Sequence, residues 1–264
     1  MNLKIVKATL MVAFLLLSVW LISKGLKSPE AAIDFKKLQA DRQNEAIRQT
    51  SEQFELFIKN IGTTTDLVKP DILQSHDTLR LSMSIELLDT MKQYAYAGVL
   101  SEKIGDLQQS AWRFQRSADY FLMEAYSHKN PENEFMLVKR ARVNLEKSLN
   151  LDPDNIATKI NLAICLKNIN DVQPPSDAGE VMRPIMLLRE VVEKQPDNPD
   201  AIYYLGKLAI ESGQYEKAIE RFKKLVSLQP QNPENYLELS EIYRMMGNEK
   251  ESKLWADKAG ALKK

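Results

Sequence analysis

Over most of the chain, apolar residues recur at intervals of three or four positions, which is the spacing of amphipathic α-helices that bury one face. Short segments rich in proline, asparagine and acidic residues separate these helical stretches. Three of the segments resemble one another: DPDN at 152–155, QPDNPD at 195–200 and QPQNPE at 229–234. The pattern predicts an all-α chain in which helical hairpins recur, with polar turns between them.

The beginning of the chain has a different pattern. Residues 8–23 (ATLMVAFLLLSVWLIS) carry no charge and lie between Lys7 and Lys24. As a helix this segment would be about 24 Å long, and lysines at its ends can reach the headgroups of a hydrocarbon core of about 30 Å. We therefore expect residues 1–28 to be a single-pass membrane anchor. A cleaved signal peptide is the alternative, although no A-x-A-like cleavage site follows the apolar run.

The segment after the expected anchor is polar. Residues 29–62 are typical of a long helix with few apolar positions that ends at Gly62, and residues 63–80 are expected to be a linker. A spacer helix that holds the later repeats away from the membrane is one interpretation of residues 29–61. Pairing of this helix between two chains, which would give a structural homo-oligomer, is the other, although the segment lacks a sustained heptad.

The clearest repeat lies between Pro196 and Pro230, which are 34 residues apart. Its sequence, AIYYLGKLAIESGQYEKAIERFKKLVSLQP, has Leu205 and Gly206 in a first helix and Ala218 and Phe222 in a second. Small residues allow two helices to approach closely, and a proline ends the second helix. On these positions the segment resembles the tetratricopeptide repeat. The resemblance implies an α-solenoid of stacked helix pairs, because one hairpin cannot bury its own apolar face.

About four copies are predicted within a repeat domain over residues 81–264. They are a degenerate copy at 91–122, a copy at 156–198 with nine extra residues, and copies at 199–232 and 233–264. The extra residues fall around 171–181, where a loop is expected, and Pro184 is tolerable only in the first turn of the following helix. The helix predicted at 132–151 has no free first-helix partner, so the pairing of helices over 106–151 stays open.

The resemblance also implies where a partner binds. In this family the first helices of successive repeats line a concave groove, and their exposed positions contact a peptide or protein. On this chain those positions give the predicted groove residues Ile160, Asn161, Ile164, Tyr203, Tyr204, Lys207, Glu211, Glu238 and Glu241. The surface would suit a peptide with apolar anchors and a basic flank. Packing of Tyr203 and Ile210 between repeats is the alternative.

Composition and motifs exclude several classes of function. Among 264 residues, 36 are basic and 36 acidic, so the chain lacks the positive excess that nucleic-acid binding requires. The single cysteine, Cys165, cannot form a disulfide within the chain and is expected to be a buried apolar residue. We find no glycine-rich phosphate loop, no metal-ligand spacing and no nucleophile motif. We therefore expect no enzyme activity, no cofactor, no metal and no small-molecule substrate.

These observations predict a membrane-anchored tetratricopeptide-repeat scaffold. The order of anchor, spacer and repeats resembles bacterial envelope assembly proteins, which implies a repeat domain on the extracytoplasmic (periplasmic) side. The segment that starts at Met182 is also similar to the repeat domains of bacterial cytochrome c maturation factors. That similarity implies a narrower alternative, in which the chain holds an apocytochrome during maturation.

Overall fold

The computed structural model describes residues 70–127, 130–175 and 177–262. The predicted anchor, the spacer helix and the first part of the linker lie outside these residues. The described chain is helical throughout its regular structure, with α1 (Pro70–Gln74), α2 (Thr78–Thr90), α3 (Tyr94–Gln108), α4 (Ala111–Ser127), α5 (Pro131–Leu151), α6 (Ile156–Val172), α7 (Ala178–Lys194), α8 (Pro199–Glu211), α9 (Tyr215–Leu228), α10 (Pro233–Met245) and α11 (Glu249–Leu262). Within this part, no helix combines the length and the apolar character needed to cross a bilayer.

The recurring proline- and asparagine-rich segments mark the points where helices begin. The side-chain oxygen of Asn198 accepts the backbone N–H of Ala201 at 3.0 Å, which caps the start of α8. Asn130, Asn155 and Asn232 cap α5, α6 and α10 in the same way. Prolines follow three of these caps at the first helical position, where the missing N–H costs no hydrogen bond. The repeated motif is therefore a helix-start signal as well as a turn.

The turns between helices identify the hairpins. Gly213 and Gly247 have φ values of 71° and 74°, and Lys92 adopts the same left-handed region with φ of 57°. In all three turns this residue donates its N–H to the carbonyl three positions earlier, and the next residue donates to the carbonyl five positions before it. Because its turn matches those of α8–α9 and α10–α11, the α2–α3 pair is a repeat hairpin.

This match corrects the predicted pairing of helices. The degenerate copy at 91–122 treats α3 as a first helix, whereas α3 is the second helix of a hairpin that begins with α2. The next hairpin is then α4–α5, and the remaining helices pair as α6–α7, α8–α9 and α10–α11. The helix at 131–151, left without a partner in the sequence, gains α4 as its first helix. The described residues thus form five consecutive hairpins.

The first hairpin is hard to recognise because its large and small residues are exchanged. Counting from the shared turn, Ile85 stands where Gly206 does, and Ser101 stands where Phe222 does. In the α8–α9 hairpin, a Cβ on Gly206 would come within 2.7 Å of the Phe222 ring, so the aromatic side chain lies directly on the glycine. Ile85 and Ser101 are both buried, so the interior of this hairpin is filled at these positions without a glycine.

Two glycines of α3 lie against the hairpin that follows. A Cβ on Gly98 would lie 2.6 Å from Phe121, and one on Gly105 would lie 2.8 Å from Phe114. Both phenylalanines belong to α4, so the glycines let α3 pack closely on the following hairpin. The contact of Gly206 with Phe222 lies within one hairpin, whereas the contacts of Gly98 and Gly105 join two successive hairpins.

Pro184 is not in the first turn of its helix, contrary to the sequence expectation. It is the seventh residue of α7 and is buried. A proline inside a helix leaves the carbonyl four residues earlier without its N–H donor. Here that carbonyl belongs to Glu180, and the side-chain amide of Asn170 in α6 donates to it at 3.3 Å. A neighbouring helix therefore supplies the hydrogen bond that Pro184 cannot make.

Two further boundaries differ from the prediction. The extra residues of the third hairpin lengthen its helices, since α6 and α7 each have 17 residues while α8 has 13. Only a short connection separates α6 from α7. The second half of the predicted linker is also partly helical, because Ile72 of α1 is buried in the same apolar cluster as Leu81 of α2. The repeat array starts at Thr78 of α2, three residues earlier than predicted.

The core runs along the whole array as four apolar clusters between neighbouring helices. Cys165 of α6 lies in one of them and has no exposed surface, which confirms its prediction as a buried apolar residue. Burial raises the pKa of the Cys165 thiol to about 12, so the group stays protonated at neutral pH.

Candidate functional site: the first-helix face

Polar side chains connect each first helix to the next. We call the surface formed by α2, α4, α6, α8 and α10 the first-helix face. Between α2 and α4, the Tyr120 hydroxyl donates to Asp89 at 3.0 Å, and Arg116 lies 3.4 Å from the same carboxylate. Between α4 and α6, Asn161 donates to Asp119 at 3.2 Å. These bonds fix the spacing of successive hairpins.

The same kind of contact continues towards the C-terminus. Lys167 of α6 lies 3.0 Å from Glu211 of α8. Lys207 of α8 donates to both carboxylate oxygens of Glu238 in α10, at 3.0 and 3.2 Å, and the Tyr203 hydroxyl lies 3.3 Å from one of them. Five of the predicted groove residues are therefore engaged with one another or with a neighbouring helix: Asn161, Tyr203, Lys207, Glu211 and Glu238. Their main effect is to join the repeats.

The acidic end of the predicted groove is largely paired. Glu241 forms a two-pronged ion pair with Arg244, one turn further along α10, and this contact lowers the pKa of Glu241. Glu238 is paired with Lys207, as described above. The basic flank predicted for a partner therefore meets two carboxylates that already have cationic neighbours.

Two isoleucines in the predicted groove lie at different depths. Ile160 is only 7% exposed and packs in the cluster that contains Leu188 and Leu205. It is a core residue, so its prediction as a contact for a partner is wrong. Contacts with the cluster that includes Leu188 of α7 and Leu205 of α8 bury Ile160 beneath the following helices. Ile164, one turn later, is partly buried at the edge of the same cluster.

Two neighbouring tyrosines form the aromatic centre of the face. The rings of Tyr203 and Tyr204 are 5.4 Å apart and nearly perpendicular, and Tyr203 makes a similar edge contact with Phe222 at 5.7 Å. Both tyrosines are partly buried against core clusters. Desolvation raises the pKa of each phenol, and Asp200 adds to the increase for Tyr204. Tyr203 thus packs between repeats, as the alternative interpretation expected, while part of its surface stays accessible.

Tyr126 of α4 is a candidate contact residue that the sequence analysis missed. It is 61% exposed, and its phenol faces the same surface as Tyr204 of α8. Desolvation raises its pKa, and Tyr204 adds to the shift. The available signal was the LDP motif at 151–153, which closes a second helix and makes α4 the preceding first helix. With that pairing, Tyr126 falls on the first-helix face.

The second helices are also linked by charge, but only in the first three hairpins. Glu102 of α3 accepts two hydrogen bonds from Arg140 of α5, both at 3.0 Å, and one from Lys147 at 3.1 Å. Between α5 and α7, Glu146 accepts a bond from Arg183 at 2.8 Å. No corresponding ion pair joins α7 to α9 among the residues that the structure describes.

A tandem array of helical hairpins joined through their first helices is an α-solenoid, and this is the class of protein that the fold defines. A family model for the tetratricopeptide repeat matches residues 185–239 and 209–262. Residues 185–262 therefore carry tetratricopeptide repeats, in agreement with the prediction from sequence. No curated protein matches the chain.

Solved structures of MamA have a similar fold. One MamA crystal structure is 18% identical in sequence and has a TM-score of 0.55, and the aligned part covers 68% of this chain and 94% of the MamA chain. MamA MSR-1 is 19% identical, with 72% and 98% coverage and a TM-score of 0.53. The MamA RS-1 ArsTM double mutant is 16% identical, with 72% and 96% coverage and a TM-score of 0.58. At these identities the likeness shows the fold alone.

Proposed function

We propose that this chain is a membrane-anchored scaffold that binds a protein or peptide partner along the first-helix face. Tetratricopeptide-repeat folds are typical of protein interaction modules and not of enzymes. The observation that carries the proposal is the contrast between paired polar groups and accessible aromatic ones on this face. Its polar side chains largely bond to one another, whereas Tyr126 is 61% exposed and Tyr203 and Tyr204 are only partly buried. Aromatic side chains of this kind dominate binding energy at protein interfaces.

The chemistry of the face favours a partner with apolar anchors. Ile164, Tyr126, Tyr203 and Tyr204 offer accessible apolar surface on three successive first helices. An extended or helical peptide can contact all three, because the helices are neighbours along the array. The carboxylates of Glu238 and Glu241 are already paired, so a basic flank on the partner is a weaker requirement than the apolar anchors.

Crosslinking in cells tests this binding surface. We expect full-length protein to crosslink to a partner through first-helix residues, and the Tyr126→Ala, Tyr204→Ala variant to lose that crosslink. The matched control changes two exposed apolar residues of second helices, Leu228→Ala and Leu254→Ala, and should keep it. Equal capture by both variants would contradict the proposal, and thermal melting checks that each variant is folded.

The membrane anchor is a separate part of the proposal and rests on the apolar segment at residues 8–23. We expect the full chain to remain in the membrane fraction after a high-salt wash and a chain without residues 1–28 to be released. A C-terminal reporter enzyme that is active only outside the cytoplasm tests the extracytoplasmic placement. Release of both chains would contradict the membrane anchor. An inactive reporter on the full chain would contradict the extracytoplasmic placement.

Two narrower predictions from the sequence remain predictions. Homo-oligomer formation through residues 29–61 concerns a segment outside the described residues. A sedimentation mass that doubles for residues 29–264 but not for residues 63–264 would support it. An apocytochrome-holding role requires binding of an apocytochrome C-terminal helix that the Tyr126→Ala, Tyr204→Ala variant loses.

A further inference from the structure

A second cleft lies on the opposite side of α8 from the first-helix face, between the second helices α7 and α9. Both helices pack against α8, and the open volume between them is about 790 Å³. Its floor is apolar and contains Ile202, Leu205 and Leu208, while Met182 and Ile185 of α7 form one wall. We call this space the outer cleft. It shares no residue with the accessible tyrosines described above.

The charge on the outer cleft differs from that of the other second-helix junctions. Glu102 and Glu146 bridge the earlier junctions by bonding to cations of the next second helix. At the outer cleft, α7 instead contributes Arg189 and α9 contributes Arg221. Within the described part of the chain, neither guanidinium has a salt bridge or a hydrogen bond. Two like charges therefore stand where the array elsewhere places opposite ones.

Arg221 is also partly removed from water. Desolvation lowers its pKa, and the charge of Arg189 lowers it further, while neighbouring Glu220 acts in the other direction. Four basic and two acidic residues line the cleft, and Lys224 is already bonded to the Pro196 carbonyl and to Asp197. A carboxylate placed between the two arginines would relieve their repulsion and form charge-assisted hydrogen bonds.

The size of the outer cleft and the apolar surface of its floor indicate which kind of ligand would supply that carboxylate. A small inorganic anion would occupy a small part of 790 Å³ and leave the apolar floor uncovered. An amphipathic helix covers an apolar strip with one face and can place an acidic side chain at the rim. Exposed methionines, here Met182 at 47%, adapt readily to the side chains of such a helix.

We propose that the outer cleft binds an acidic amphipathic helix of a partner protein, with its apolar side chains on Leu205 and Leu208 and a carboxylate between Arg189 and Arg221. This site acts independently of the first-helix face. A scaffold with both sites holds two partners, or two segments of one partner, on opposite sides of α8.

Fluorescence anisotropy with designed peptides tests the proposal on the full chain in detergent. The probe is a labelled helical peptide of about 14 residues, long enough for about four turns, with leucines on one face and two glutamates beside them. A second probe replaces the glutamates with glutamine, and a third replaces them with lysine. We expect the glutamate peptide to bind roughly tenfold more tightly than the glutamine peptide, because only carboxylates pair with the arginines.

Charge reversal separates recognition from misfolding. The Arg189→Glu, Arg221→Glu variant should lose the glutamate peptide and gain the lysine peptide, which an unfolded protein cannot do. The Tyr126→Ala, Tyr204→Ala variant should bind the glutamate peptide as the unchanged protein does. Loss in that variant would instead place the peptide on the first-helix face and overturn the proposal.

Three other results would also overturn it. Equal binding of the glutamate and glutamine peptides would remove the role of the arginines. Failure of the reversed variant to gain the lysine peptide would show that the arginines do not contact the probe. A further peptide keeps the glutamates and replaces the leucines with alanine. If it bound as tightly as the original peptide and inorganic phosphate displaced it, the cleft would be a simple anion site.

Discussion

The two sides of this solenoid are joined in different ways. On the first-helix face, side-chain bonds connect each helix to the next from α2 to α10, with Asp89, Asp119, Glu211 and Glu238 as the acceptors. On the second-helix side, ion pairs connect α3, α5 and α7, and none continues to α9 within the residues that the structure describes. Apolar packing stacks all of the described hairpins, whereas charged side chains bridge every first-helix junction but only some of the second-helix junctions. Where the bonds stop, the outer cleft begins.

The largest effect on this comparison should come from Glu102→Ala. The Glu102 side chain is 8% exposed and pairs with Arg140, whose side chain is 16% exposed. The Glu102→Ala change removes a largely buried partner of both Arg140 and Lys147, and we expect a loss of about 3 kcal/mol in the free energy of unfolding. Urea denaturation measures it.

The control for Glu102→Ala is Asp106→Ala, which removes the more exposed partner of Lys147. Its side chain is 55% exposed, so we expect a loss below about 1 kcal/mol. Equal losses for the two variants would mean that burial does not distinguish these two carboxylates.

Asn170→Ala should have the next largest effect. It removes the donor to the Glu180 carbonyl that Pro184 leaves unsatisfied, and we expect a loss of about 1–3 kcal/mol. In a Pro184→Ala background the helix supplies its own N–H, so the same change should cost much less. Thermal and urea unfolding of all four proteins gives the coupling energy. If the stability losses of the Asn170 and Pro184 variants simply added, the Asn170 amide would not be replacing the N–H donor that Pro184 lacks.

Lys207→Ala should weaken the first-helix face only slightly. The Lys207 side chain is 38% exposed, and exposed pairs contribute about 0.2–1 kcal/mol. The effect should shrink as salt concentration rises, because mobile ions screen the pair. A loss that does not change with salt would indicate that lost packing of the lysine stem, and not its charge, is responsible.

The smallest effect we predict depends on pH. Desolvation raises the pKa of Asp119, although Arg116 and Asn161 partly oppose it. Folding therefore disfavours the ionised form, and this cost is present above the folded pKa and disappears as pH falls below the ordinary carboxyl value of 3.8. Asp119→Asn should be slightly more stable than the unchanged protein at pH 7, with the difference vanishing at low pH.

Glu241→Gln is the matched opposite case for this pH dependence. The Arg244 contact lowers the pKa of Glu241, so its ionised form is favoured by folding. The variant should be slightly less stable at pH 7, and that difference should also fade at low pH. Urea unfolding between low pH and pH 7 measures the stability difference of each variant from the unchanged protein. Differences of the same sign for Asp119→Asn and Glu241→Gln at pH 7 would contradict the opposite pKa directions of the two carboxyl groups.

The sequence was sufficient for the fold class and for the two C-terminal hairpins, because Gly206, Phe222 and Pro230 keep the family spacing. It was insufficient for the first hairpin, where Ile85 and Ser101 exchange the sizes of the two contact residues. The resulting shift in pairing hid Tyr126. Ile160 shows another limit, since its burial depends on how the following helices pack against α6. The outer cleft depends on contacts that no local pattern records.

The exchanged contact residues of the first hairpin have a consequence for how such arrays change by recombination. Gene segments that encode similar repeats can be duplicated, deleted or moved, and the product folds only if the new neighbours fit. The α8–α9 hairpin, with Phe222 on Gly206, is built like an ordinary copy of the family. The α2–α3 hairpin has Ile85 and Ser101 at the two equivalent positions and presents Gly98 and Gly105 to two specific phenylalanines of α4. A copy of the α2–α3 hairpin placed elsewhere would therefore need a following helix with two phenylalanines at the same positions, so this hairpin is less interchangeable than the α8–α9 hairpin.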